Sequence, residues 1–128
     1  EISHLGNRYE DIGWMCSPSW RHGNWELAVG GFATLESFLQ GYETICRLPI
    51  DRAAIDWWVL FSEVRWAQIC LGFGMLASKN IELLENHVIG RRVSEAEINA
   101  LMLIADGTGG FAQVLNSRRD SDSALSSG

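Results

Sequence analysis

Side chains able to do chemistry are few and scattered in this 128-residue chain. His4, His22 and His87 lie far apart, and none forms the HxxxH or HExxH pair that sets two imidazoles on one helix face around a metal ion. Cys16, Cys46 and Cys70 each sit inside an apolar pattern with no CxxC spacing. They read as reduced, buried thiols of a cytoplasmic protein, not as metal ligands or a redox pair. The run Gly107-Thr108-Gly109-Gly110 follows a helical pattern instead of joining a strand to a helix, and it lacks the lysine of a phosphate loop, so it reads as a linker. No serine occupies a GxSxG elbow. Residue spacing therefore supplies neither a catalytic group nor a metal site.

Three charges stand out against apolar surroundings. Glu63 and Arg65 interrupt the long apolar stretch 51–79, and being two apart they point to different helix faces, so each needs a partner elsewhere. One reading is a solvated edge or structural ion pairs; the other is a polar floor under a substrate cleft. Asp11, beside Ile12 and Trp14, reads either as an exposed helix acid or as a buried anchor.

The elements that would position these residues are helical. Residues 52–79 form a long, proline-free helical segment, with Asp51 after Pro49 as the natural N-cap. Apolar residues occupy nearly every face of it, and a helix apolar all round is expected to be surrounded by its neighbours. Asn7 caps a helix over 7–17. Leu35, Phe38, Leu39, Tyr42, Ile45 and Cys46 make an i, i+3, i+4, i+7 stripe over 34–47. Between these two, Trp20 and Trp25 imply a loop packed on the body.

Residues 81–105 are helical again. The sequence leaves open whether Gly90-Arg91-Arg92 divides them, although Ser94-x-x-Glu97 reads as a capping box and Gly107 as a C-terminal stop. Phe111–Leu115 could add one more turn. Residues 1–6 are a lead-in, and 116–128, polar and serine-rich, read as a disordered tail. The expectation is one all-α domain over 1–115, a bundle of four to five helices around a long central helix.

Composition narrows the partners. A net charge of −6 and a single lysine argue against nucleic acid and anionic membrane surfaces. Residues 59–77 approach membrane-spanning length, but Glu63 and Arg65 would each cost roughly 3 kcal/mol at a bilayer centre. With a polar, acidic start and no signal-peptide pattern, the chain is expected to be soluble and cytoplasmic.

A resemblance adds to this reading. EISHLGNRYEDIGWMCSPSWRHG resembles the segment just after the metal-binding aspartate in aminoglycoside-phosphotransferase-like kinases, in the branch associated with acyl-CoA dehydrogenases. That family reads approximately DWE-x-x-x-x-GDP-x-x-DLAW, followed by C-x-x-SWR-[FH]-G. Glu1 matches the Glu of DWE, Gly6 the Gly of GDP, Asp11-Ile12-Gly13-Trp14 the DLAW, and Ser19 to Gly23 the SWR run. The likeness continues through Gly30-Gly31-Phe32, LESFLQGYE, Pro49-Ile50-Asp51, Trp57-Trp58, Arg65-Trp66 and Ile89-Gly90-Arg91-Arg92, and so covers residues 1–100. Beyond Leu103 nothing matches, and Asn7-Arg8 departs from the family's Asp-Pro.

The resemblance implies the helical subdomain of a protein-kinase-like C-terminal lobe. For the full-length family it implies ATP and magnesium, with an HGD-x-x-x-x-N loop supplying the base and a metal ligand. Neither that loop, nor the DW aspartate, nor a nucleotide-binding lobe lies among these residues. The chain is therefore expected to be catalytically inactive, with no cofactor of its own, and to be a truncated product, a fragment or a stand-alone domain. Asp11 would be the helix acid that accepts backbone N–H groups from the catalytic loop, a structural anchor. Trp20, Arg21, Glu63, Arg65 and Trp66 would line the acceptor-substrate cleft. Two alternatives stand beside this reading: a self-associating module, pairing as a homodimer through uncovered apolar surface, and a helical pocket for an apolar acyl-type ligand.

Overall fold

The computed structural model describes residues 4–79 and 84–107, and there the chain is all-helical. Five α-helices follow one another among the described residues: α1 (Arg8–Cys16), α2 (Leu35–Cys46), α3 (Arg52–Lys79), α4 (Leu84–Gly90) and α5 (Val93–Ala105). A 3-10 turn at Pro18–Trp20 follows α1, and the only β-type pairing among the described residues is an isolated bridge between Val29 and Ala33. The turn expected at Phe111–Leu115, the tail 116–128 and residues 81–83 lie outside the described residues.

Local chemistry sets most helix ends. The Asn7 side chain accepts from the Tyr9 N–H at 3.0 Å, and Thr34 accepts from the Ser37 N–H at 3.3 Å. Asp51 Oδ1 accepts from the Ala53 N–H at 3.0 Å, which starts α3 where Pro49 ends the preceding link. Gly107, with φ of 83°, closes α5 by donating to Ile104 O at 3.1 Å. The capping box does not form. The helix starts a residue before Ser94, with Arg92 at the N-cap position and no side-chain bond there, so Ser94 and Glu97 lie inside it. Arg91 and Arg92 form the turn that divides α4 from α5.

Helix α3 is the shared packing partner of α1, α4 and α5. Its N-terminal half contributes Ile55 and Val59 to one core cluster, with Ile12, Cys16, Val29 and Leu39. Its C-terminal half contributes Trp66 and Cys70 to a second, with Ala96 and the flanking Trp14, Trp20 and Ile89. Glycine permits two of the crossings. A Cβ on Gly13 would fall 2.6 Å from the Trp58 backbone carbon, so α1 rests directly on the α3 main chain. A Cβ on Gly90 would fall 2.7 Å from Gly74 Cα, the equivalent contact between α4 and α3.

Two expectations are corrected here. Helix α3 is not surrounded by the described residues: Trp57, Phe61, Val64, Gln68, Leu71, Gly72 and Met75 form one exposed stripe along it, opposite the buried Ile55, Val59, Ser62, Trp66 and Cys70. All-round apolarity thus reflects a helix covered on one side by its own chain. In the loop, Trp20 packs but Trp25 is exposed, and the buried apolar anchor there is Val29. Helix α3 is also long and apolar enough to cross a membrane by length and composition, yet it is the helix on which the core is built.

Candidate functional site

The polar centre of the molecule is Glu63, which projects from the covered side of α3 and has no exposed surface. A buried carboxylate costs free energy unless donors surround it. Three do: the Ser17 hydroxyl, the Ser19 N–H at 2.8 Å and the Ser19 hydroxyl at 2.9 Å. Pro18, between the two serines, opens the 3-10 turn that aims both at the same acid.

Ser19 also receives bonds from the far end of the chain. Its carbonyl accepts from Arg92 Nη2 at 3.2 Å, and its hydroxyl accepts from Asn99 Nδ2 at 3.4 Å. One serine thereby joins α3, the 3-10 turn and the start of α5.

Over this knot lie three indoles. Trp20 and Trp66 have ring centres 4.9 Å apart, and Trp14 is 5.4 Å from Trp20 and 6.3 Å from Trp66. The Arg92 guanidinium sits 5.4 Å from the Trp66 ring centre and 6.0 Å from that of Trp20, a distance at which a cation is attracted to the ring face. The Glu95 carboxylate bonds to it, and this together with that charge holds its pKa above the usual guanidinium value despite burial. Arg21 Nη2 donates to Cys16 O at 3.1 Å. Burial lowers the Arg21 pKa, while the nearby Cys16 and Glu63 charges act in the opposite direction. Indole Nε1 of both Trp20 and Trp66, and Nε of Arg21, are buried donors without a partner among the described residues.

The five expected cleft residues therefore divide. Trp20, Trp66 and Glu63 come together through Ser19, and half-buried Arg21 flanks them. Arg65 leaves the group to pair with Glu10 of α1, which also bonds His4 at 3.0 Å. Burial pushes the Glu10 pKa up, but the His4 and Arg65 contacts outweigh it and leave the carboxyl below its ordinary value. Asp11 is exposed in the first turn of α1, and its side chain makes no hydrogen bond or ion pair among the described residues. A carboxylate there is favoured by the helix N-terminus.

Ser17, Ser19 and Asn99 were not legible as site residues. Ser19 meets Glu63 across 44 positions and Asn99 across 80, and no local pattern encodes such contacts. The thiols also divide: Cys16 and Cys70 are buried, with burial pushing Cys16 up to about 11 and Cys70 upward, whereas Cys46 is exposed, contrary to expectation.

A concavity lies on the open side of α3. It is an apolar groove of about 180 Å³ lined by Trp57, Leu60, Phe61, Val64 and Ile104. Among the described residues, no three His, Cys, Asp or Glu side chains are grouped to hold a metal ion. No protein-family model, curated protein or solved structure matches the chain.

Proposed function

We propose that the chain is the acceptor-side helical part of a small-molecule phosphotransferase of the aminoglycoside-phosphotransferase-like type, without phosphoryl-transfer activity by itself. One observation supports this most. Separate stretches that carry the resemblance meet in space: Gly13 rests on Trp58, Trp14, Trp20 and Trp66 share one cluster, and Arg92 lies over two of those rings and bonds Ser19. The stretches that carry the resemblance thus form one packed unit, as this reading requires.

In this reading Trp20 and Arg21, which are half-exposed, face the acceptor molecule. Glu63 and Trp66 lie beneath as positioning residues that fix the turn at Ser17–Arg21. Asp11, exposed and with no side-chain partner among the described residues, would accept main-chain N–H groups from a catalytic loop supplied by another segment. Phosphoryl transfer rests on positioning and metal electrostatics, which require a base, metal-holding carboxylates and a nucleotide lobe outside these residues.

The groove on the open side of α3 favours the acyl-ligand alternative less. Pockets for small molecules occupy about 300–1,000 Å³, and this one is smaller.

ADP release by the purified chain, measured with magnesium, ATP and a panel of hydroxylated acceptors, tests the proposal. The expected result is no turnover above background. The upstream gene sequence should encode HGD-x-x-x-x-N and DW, and the joined protein should turn over ATP. Turnover by the chain alone, or an upstream sequence without those motifs, overturns the reading.

A further inference from the structure

The open face of α3 has a pattern of its own. Trp57, Phe61, Val64, Gln68, Leu71 and Met75 follow one another at spacings of four, three, four, three and four, the repeat of a helix seam that packs against another helix. All six are exposed. Trp57 is 43% exposed, Phe61 38%, Val64 53%, Leu71 54% and Met75 62%, and the adjacent Leu76 is 54% exposed.

Those apolar side chains present on the order of 600 Å² per copy, at the top of the range of about 300–600 Å² that the largest patch on a monomer ordinarily reaches and that is often functional. Doubled, that reaches about 1,200 Å², where stable protein interfaces begin. The groove residue Ile104 of α5, beside Trp57, Phe61 and Val64, extends the face further.

The arrangement along the seam selects the occupant. Gln68 is its one polar residue and lies midway between Phe61 and Met75. When a second α3 lies antiparallel across it, Gln68 meets Gln68, Val64 meets Leu71, and Phe61 meets Met75, a favourable sulfur–aromatic contact. A carboxamide carries both a donor and an acceptor, so two of them satisfy each other on a two-fold axis. Charge supports the same choice. The chain carries −6, and two copies approach with least repulsion through a face that holds no charged residue from Trp57 to Met75 of the seam.

We propose that this face is a homodimer interface, formed by antiparallel packing of α3 on α3 about a two-fold axis at Gln68. The inference is independent of the phosphotransferase reading, because it is tested by mass and cross-linking, not by ATP turnover.

Sedimentation velocity on the chain into the high-micromolar range should show a monomer–dimer equilibrium. Leu71→Lys, at an exposed position, should keep the helical circular-dichroism spectrum and weaken association roughly 100-fold, because it buries a charge in the contact. In a Cys46→Ser background, Gln68→Cys should form a disulfide-linked dimer under mild oxidation, while Met75→Cys, opposite Phe61, should not. A strict monomer, whether or not it binds lipid vesicles, overturns the proposal. A dimer indifferent to Leu71→Lys places the interface elsewhere, and cross-linking through Met75→Cys instead of Gln68→Cys overturns the antiparallel register.

Discussion

The two sides of α3 are almost equally apolar in sequence and have opposite fates. The inner side carries Ile55, Val59, Trp66 and Cys70, buried by α1, α4 and α5, and in their midst Glu63, satisfied by two serines. The outer side carries Trp57, Phe61, Val64, Leu71 and Met75, uncovered by the described residues of the chain. Polar groups mark the difference. The inner side contains an acid that only a specific set of donors can make tolerable, while the outer side contains a neutral amide. Burial on the inner side is specified from within this chain; the outer side is left open by its described residues.

Alanine at glycine separates the two sides most strongly. Gly13→Ala drives a methyl into the Trp58 backbone. Overpacking of that kind costs about 1–3 kcal/mol or more, which exceeds the roughly 1 kcal/mol gained by removing a helical glycine. Gly72, on the outer side, has nothing within 4 Å of an added Cβ. Gly72→Ala should therefore stabilise the monomer by up to about 1 kcal/mol. Urea unfolding of both variants, under dilute conditions, checks the contrast.

The α3–α4 crossing sharpens it at smaller scale. A Cβ on Gly90 meets Gly74 Cα and N at 2.7 and 2.8 Å, whereas a Cβ on Gly74 has only Gly90 Cα at 3.7 Å. Gly90→Ala should lower thermal stability by about 1–3 kcal/mol, and Gly74→Ala should leave it unchanged or raised. Equal effects would mean that the two helices are further apart than described.

Fluorescence reads the same division. Acrylamide should quench Trp57, at 43% exposure, and spare Trp66, at 8%. In a Trp25→Phe background, which removes the more exposed indole at 60%, Trp57→Phe should then remove quenchable emission, while Trp66→Phe should remove mainly protected emission.

The smallest effect is electrostatic and tests the tie between α1 and the edge of α3. Glu10 has a folded pKa below its ordinary 4.5, so its pairing with His4 and Arg65 contributes stability above that value. The contribution is lost as pH falls through the depressed folded pKa. Glu10→Gln should flatten the decline in thermal midpoint below pH 5, and an unchanged acid slope would show that the pair contributes nothing.

What sequence made legible were the features encoded locally. Asn7, Thr34 and Asp51 cap the helices whose starts they signal, because a cap needs only its own next three residues. The all-α class followed from helical periodicity in the same way. The capping-box reading of Ser94 failed because the turn at Arg91-Arg92 set the start of α5 earlier. Glu63 was recognisable as an acid in need of a partner, but Ser17 and Ser19 were not recognisable as that partner. Such contacts depend on how α1, the 3-10 turn and α3 meet. Arg65 illustrates the remaining difficulty: adjacent to Trp66, it turns to α1 and not to the tryptophan cluster.

Neighbouring residues 63 and 64 test the central distinction most directly, since one belongs to each side. Equilibrium urea unfolding of Glu63→Ala and Val64→Ala should be measured at a dilution where copies do not associate. Glu63→Ala leaves the Ser17 and Ser19 donors buried without an acceptor and should cost about 3 kcal/mol or more, since each stranded donor costs roughly 1–3 kcal/mol. Val64→Ala, at a half-exposed site, should change stability by no more than about 0.5 kcal/mol. Equal losses at the two positions would contradict the division of α3 into a self-satisfied inner side and an open outer one.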